Sequence, residues 1–307
     1  MKLRFFFYLF LLFSTSLRAQ AEDAVFLVTP DNQAIYKAGN ETKIDFHLTQ
    51  LMQKQFFNLL DLLAKNNIKS IIANGRVESH NSYNNNWFFV YKLSNSRFIT
   101  ILPQKDVHKS NIRPEYMQYL LETNSYPIKK VNDFFHKKQH NLYMDCSEFV
   151  LDRNYRIFYF YQTADSLDYL FKFLHKELQT TQVRISPAKD INLKLTQIIN
   201  INEKLAMLCS DCFIDNNHYQ NLKKDLIAQN KTIVEITKDQ AAANATDYLV
   251  IKANDTKYIL INKDSFDTLT REQSSILLTY GRLLIIDLSA FYKYNQTRLI
   301  DMLTLIN

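Results

Sequence analysis

At 307 residues with 47% hydrophobic content, the chain is long enough to bury a large core, and no low-complexity stretch divides it. Its formal charge of +6 includes Lys2, Arg4 and Arg18, so the chain beyond them carries only +3, and its basic residues cluster no further than pairs such as Lys129-Lys130 and Lys137-Lys138; a nucleic-acid surface is excluded on that ground. Only 3 glycines occur where ordinary usage would supply roughly twenty, which argues against any mechanism built on a glycine-rich phosphate loop.

Met1 to Arg4 is positive, residues 5–13 are an unbroken apolar run, and Ala19-Gln20-Ala21 offers a small-x-small cleavage pattern. The apolar run is shorter than the about 20 residues a membrane span needs. A secretory signal over residues 1–21 and a mature chain of one domain over 22–307 are expected, in the periplasm or secreted, with no transmembrane segment after cleavage.

The mature chain starts with apolar runs at 25–29 and 68–73 flanking a helical pattern at 48–66. Four hairpins follow, each an apolar run, a tight polar turn and a second apolar run. Residues 88–100 turn at Ser94-Asn95-Ser96 and lead to a helix at 113–122 and a strand at 128–131. Residues 149–161 turn at Asp152-Arg153-Asn154 and lead to a helix at 165–178, with Leu167, Leu170, Phe171 and Leu174 at helical spacing, and a strand at 181–185. Residues 198–208 turn within 200–204, ahead of a helix at 218–229 and a strand at 232–236. Residues 248–261 turn within 252–255, ahead of a helix at 270–280 and a strand at 282–287. The run 298–306 ends the chain without a helix behind it. The turns recur at roughly 50–60 residues, the length of a supersecondary unit. The expected fold class is α/β, a strand-strand-helix-strand unit seen four times, with a fifth copy split between the two ends that closes a ring.

Cys209-Ser210-Asp211-Cys212 has the spacing of a redox pair, but it follows a strand and does not open a helix. A local disulfide or two buried thiols is the favoured reading. Zinc would need a second ligand pair, and His218 stands alone nearby. Cys146 is odd by count, and neither a metal nor a cofactor is implied. The 22 Phe and 18 Tyr fall largely at strand or helix spacing and read as core packing. Residues 81–86 read as an exposed polar loop.

Several strings in this order resemble the arginine deiminase-related, amidinotransferase superfamily, whose fold is the five-bladed α/β-propeller, or pentein. They are Asn85-Asn86-Trp87 opening the first hairpin, and Phe149-Val150-Leu151-Asp152-Arg153 with Arg156-Ile157 in the second. To these add Val234-Glu235-Ile236-Thr237 before Leu249-Val250-Ile251, the helix start Leu269-Thr270-Arg271-Glu272-Gln273, and the terminal Arg298. The resemblance implies a site in which a Cys thiolate attacks a guanidinium carbon, a His moves protons and carboxylates hold the cationic substrate. A guanidinium is resonance-stabilised and permanently charged, so it demands an activated nucleophile, a base with a pKa near the working pH and paired acids.

Carried over position by position, the resemblance implies a stripped site. The nucleophile falls on Leu299 in Thr297-Arg298-Leu299, and the proton shuttle falls on Leu195 in Leu195-Thr196-Gln197. The acid falls on Met144 in Met144-Asp145-Cys146, or has slipped to Asp145, a shift that on a strand turns the carboxylate to the other face. The substrate-side Asp falls on His80. Asn85, Asn86, Asp247 and Arg298 are the ligand-binding candidates left at the propeller mouth. An apolar centre will not hold an unpaired guanidinium. The expectation is therefore a catalytically silent member that binds a small molecule or an envelope protein partner. The alternative is a hydrolase or transferase relocated to Cys146, with Asp145 and His140 or His136 as orienting and basic groups; a third reading is a structural module whose mouth is filled.

Overall fold

The computed structural model describes residues 24–28, 34–38, 41–73, 89–92, 98–101, 114–126, 128–132, 149–161, 175, 179–188, 192–295 and 298–306. The strands are β1 (Ala24–Val28), β2 (Ala34–Ala38), β3 (Glu41–Asp45), β4 (Lys69–Ala73), β5 (Phe89–Lys92), β6 (Phe98–Ile101), β7 (Ile128–Asn132), β8 (Phe149–Asp152) and β9 (Ile157–Tyr161). They continue with β10 (Thr181–Ile185), β11 (Ile199–Ile201), β12 (Leu205–Cys209), β13 (Thr232–Ile236), β14 (Tyr248–Ala253), β15 (Thr256–Asn262), β16 (Arg282–Ile286) and β17 (Leu303–Ile306). Helices are α1 (Phe46–Lys65), α2 (Pro114–Thr123), α3 (Leu195–Ile198), α4 (Asn216–Ala228), α5 (Lys238–Ala242), α6 (Lys263–Asp267), α7 (Arg271–Tyr280), α8 (Ser289–Asn295) and α9 (Leu299–Met302).

Five three-stranded sheets share one plan: β5-β6-β7, β8-β9-β10, β11-β12-β13, β14-β15-β16 and β17-β1-β4. In each, the middle strand pairs antiparallel with the strand named first and parallel with the strand named last. Parallel pairing requires a crossover, and α2, α4 and α7 supply it for three of the sheets, α1 for the terminal one. The terminal sheet joins the two ends of the chain, with Ala24 opposite Ile306, as the split unit requires.

Local chemistry explains the elements. The β14–β15 turn is made by Asn254 and Asp255, both at positive φ (48° and 58°), the backbone of the two-residue turns that suit the twist of a hairpin. Two of the family-like strings are helix starts: Thr237 and Gln240 form a capping box on α5, and Thr270 and Gln273 form one on α7. The boxes are joined, because Gln240 Nε2 donates to Gln273 Oε1 at 2.8 Å while Gln273 Nε2 donates to the Glu235 carbonyl at 2.6 Å.

The middle strand of the sheet β14-β15-β16 is buried on both faces. Ile259 and Ile261 of β15 enter a cluster with Leu195, Met207, Leu208, Tyr248 and Leu277. Tyr258 and Leu260 enter another, with Leu27, Leu59, Phe291, Leu299 and Met302. Alternate residues of a strand point to opposite faces, so a sheet between two cores reads as a continuous apolar run. Gly281, just ahead of β16, is extended at φ −175°; a Cβ there would lie 2.6 Å from the Lys257 carbonyl oxygen, so close approach rather than torsion selects glycine.

Several features depart from the sequence-based expectation, among them the short helices α5, α6 and α8, which the periodicity did not announce. The hairpin β2–β3, Ala34 opposite Asp45, was not foreseen. The run 298–306 enters as the helical turn α9 and becomes strand only at Leu303, because a distant carboxylate caps that turn. The stretch at Leu195 is also a helical turn. The helix expected at 165–178 lies outside the described residues except for His175, which is helical. No described helix is long and apolar enough to cross a membrane.

Candidate functional site

In sequence, the candidates other than the histidines fall just ahead of the first strand of a sheet. Asn85 and Asn86 precede β5, Met144, Asp145 and Cys146 precede β8, Leu195 precedes β11, Asp247 precedes β14, and Arg298 and Leu299 precede β17. Asn85, Asn86, Met144, Asp145, Cys146, His80, His136 and His140 lie outside the described residues. Leu195, Asp247, Arg298 and Leu299 lie within them.

The segment that leads into β14 is the hub of the described lead-ins. Asp247 is 1% exposed. Its carboxylate accepts the N–H of Leu299 on Oδ2 at 2.8 Å and that of Ile300 on Oδ1 at 2.9 Å. Those N–H groups open α9 and have no partner within the helix, so a carboxylate there forms charge-assisted hydrogen bonds. One residue earlier, the Thr246 hydroxyl donates to the Thr196 carbonyl of α3 at 2.7 Å. Asn200 of β11 donates from Nδ2 to the carbonyls of Thr246 and Tyr248, at 2.8 and 2.9 Å. Gln197 of α3 donates to Asn244 Oδ1 at 2.9 Å. A single connection thus holds the lead-ins to β11 and β17 at once.

Leu195 and Leu299, the positions to which the resemblance carried the proton shuttle and the nucleophile, fall in different core clusters. Leu195 is fully buried in the cluster on one side of the β14-β15-β16 sheet, and Leu299 is fully buried in the cluster on the other. Arg298 is buried as well. Sequence reasoning missed Thr246, Asn200 and Gln197; their signal was the placement of small polar residues within otherwise apolar lead-ins.

Chemically, the described lead-ins offer a hydrogen-bonded frame. Residues 193–200, 244–248 and 298–302 contain neither a thiol nor an imidazole. Burial pushes the Tyr248 phenol above its ordinary value, so it stays protonated near neutrality. Cys209 and Cys212 are joined by a disulfide, one of the two arrangements that the sequence left open. Among the described residues no group of three or more His, Cys, Asp or Glu side chains is arranged to hold a metal.

Solved structures of similar fold include three proteins whose descriptions name arginine, citrulline or ornithine. The N-terminal domain of ArgZ, an arginine dihydrolase from cyanobacteria, solved with substrate, is similar at a TM-score of 0.63 and 12% identity over 93% of this chain and 98% of that one. An enzyme named DDAH from Pseudomonas aeruginosa, solved with citrulline, is similar at a TM-score of 0.58 and 13% identity, covering 93% and 99%. AgrE in its complex with ornithine and NAD+ is similar at a TM-score of 0.65 and 13% identity, covering 93% of this chain and 39% of AgrE. At such identities these likenesses concern the fold. No curated protein matches the sequence. The profile of the family described as N,N dimethylarginine dimethylhydrolase, eukaryotic, matches residues 26–295. With that match over most of its length and the repeated sheet plan behind it, the chain belongs to this family, within the pentein superfamily of arginine deiminase- and amidinotransferase-related proteins.

Proposed function

We propose that this chain is a catalytically silent member of its family that binds a small molecule or an envelope protein through the lead-in face. The observation that carries the reading is the lack of a thiol where the chemistry needs one: no cysteine follows Cys212 in the sequence. That statement does not depend on how residues 298–302 are aligned. The position matched to the nucleophile, Leu299, is core, and its backbone N–H is already taken by Asp247. In this reading the five sheets are the blades of a closed propeller, which is supported by the terminal sheet shared between both chain ends and by β17 lying alongside β5 and β8 alongside β11. The leader over 1–21 directs the chain to the periplasm or outside the cell, where a disulfide such as Cys209–Cys212 persists.

The test is to incubate the mature protein with arginine and with N,N-dimethylarginine and to measure released amine, citrulline and ornithine. No turnover above buffer is expected, and any turnover removed by a single substitution overturns the reading. A metabolite panel monitored by melting temperature then identifies the ligand, since a ligand of the folded state raises it by mass action. A flat panel leaves a protein partner as the occupant, to be sought by cross-linking in the envelope.

One observation favours a second reading. With Cys209 and Cys212 bonded to each other, Cys146 is the one remaining thiol, and Asp145 is its neighbour. A site using Cys146 as nucleophile, with His140 as base, requires a thiolate near neutrality. Rapid alkylation of Cys146 at pH 7 together with turnover lost in Cys146→Ser would establish it; alkylation only in denaturant would eliminate it.

A further inference from the structure

The motif that the functional reading leaves unused is the pair Cys209 and Cys212. Cys209 ends β12, Cys212 lies in the 3-10 helix Ser210–Cys212, and their Cα atoms are 5.4 Å apart. Both cysteines are buried, at 0% and 1%, while Asp211 between them is exposed. The closed turn supports two neighbours. Just beyond it, Phe213 bridges Pro187: the Ala188 N–H donates to the Cys212 carbonyl at 3.0 Å, and the Ile214 N–H donates to the Ser186 carbonyl at 3.0 Å. The Phe213 ring seats this bridge against Tyr219, with centroids 5.4 Å apart. Pro187 belongs to the stretch that leaves β10 on its way to α3, so the bridge ties the exit of one sheet to the next. The second neighbour is α5, which packs against both the disulfide turn and α3. Cys209, Cys212, Ala241 of α5 and Leu195 of α3 share one buried cluster.

We propose that the Cys209–Cys212 disulfide is a redox-set latch on the lead-in helix that carries Leu195. Oxidised, it holds residues 186–188 and α5 in place, and α3 with them. Reduced, it releases these supports locally while the β-sheets stay folded. The reductant is a dithiol. One of its thiolates attacks a cysteine sulfur to form a mixed disulfide, and its second thiolate displaces the protein thiol. The net change breaks one S–S bond in the protein and forms two S–H groups; the two electrons and two protons come from the dithiol, which leaves as its own disulfide. The covered sulfurs are reached by opening the turn, and a three-residue 3-10 helix with an exposed Asp211 is the kind of low-stability element that opens by itself. The latch stands on these contacts whatever occupies the lead-in face.

Amide hydrogen exchange on the full mature chain tests it in three states: oxidised, reduced by dithiothreitol under native conditions, and the double variant Cys209→Ala with Cys212→Ala. The amides of Ala188 and Ile214 and those of residues 195–200 are expected to exchange roughly tenfold or more faster in the reduced and variant proteins, the size of effect a short disulfide loop commonly has. The amides of β14 and β15 are expected to keep their protection. Equal exchange in all three states would overturn the proposal by showing a passive bond. Collapse of protection across β14 and β15 would overturn it in the other direction, by showing a global staple. Iodoacetamide gives a readout that does not need the variant: both thiols of the reduced, folded protein should be trapped, and modification only after denaturation would sink the latch.

Discussion

The two ends of the sheets are held by different chemistry. At the hairpin end, neighbouring sheets are joined by charge. Lys231, ahead of β13, pairs with Asp152 of the β8–β9 hairpin at 2.7 Å with both side chains buried, donates to the carbonyls of Asn202 and Glu203 at 2.8 and 3.2 Å, and lies 5.0 Å from the centre of the Tyr155 ring. Asp152 in turn accepts the N–H groups of Asn154 and Tyr155. Burial, and then the Asp152 charge, push the Tyr159 phenol above its ordinary value. Lys257 of β15 pairs with Glu203 of the β11–β12 turn at 2.7 Å, half in solvent. At the lead-in end, the Thr246 hydroxyl and the Asp247 carboxylate reach for backbone groups of α3 and α9. A bond to the backbone does not read the side chain of the residue it holds. The frame at the lead-in end is therefore indifferent to the side chain at position 299, whereas the hairpin end depends on the side chains of both partners in each ion pair.

That contrast breaks most visibly at the buried pair. Lys231→Met strands the Asp152 carboxylate and should cost about 3–5 kcal/mol in denaturant unfolding, with much of the loss regained on adding Asp152→Asn, because an uncompensated buried charge is the expensive species. A small loss in the single variant would mean that the hairpin end is not a charge-based clamp. Next comes the lead-in end. Asp247→Ala removes two hydrogen bonds to a charged acceptor and should cost about 2–3 kcal/mol, against about 1 kcal/mol for Thr246→Val, which removes a neutral one. Equal losses would show that the charge on Asp247 does nothing special for α9.

Gly281→Ala sharpens the hairpin end by geometry alone. Its added Cβ meets the Lys257 carbonyl, and forcing β15 and the start of β16 apart should cost about 1–3 kcal/mol, read as a fall in melting temperature. A neutral outcome would mean that this junction yields freely.

The exposed pair should give the smallest effect, and its sign is set by Glu203. The hydrogen bond from Lys257 holds the Glu203 carboxyl below its usual range. A depressed carboxyl stabilises the fold above its unfolded value and loses that contribution as the pH falls through its folded value. Lys257→Met should therefore flatten the acid side of the stability profile, below roughly pH 4.3, by no more than about 1 kcal/mol. Added salt should do the same to the unmodified protein, and an acid slope that the substitution leaves untouched would assign it to other carboxyls.

The strands and longer helices of the four central units were readable along the chain, since apolar runs, polar turns and helical spacing are local signals, each confined to a few consecutive residues. The hairpins at β5–β6, β8–β9, β11–β12 and β14–β15 follow those runs within a few residues, and the unmatched strands at the two ends found each other because an apolar strand without a hairpin partner has to be covered from elsewhere. Leu195 and Leu299 were singled out as site positions only through the resemblance, from strings and their order. What those residues do there could not be read along the chain. That Leu195 and Leu299 fall on opposite sides of one sheet, that Asp247 spends its carboxylate on the turn 52 residues further on, and that Lys231 reaches Asp152 in another sheet are pairings between distant segments. Hydrophobic burial and the need to satisfy every buried polar group select such pairings only when the sheets come together, so they belong to the tertiary structure.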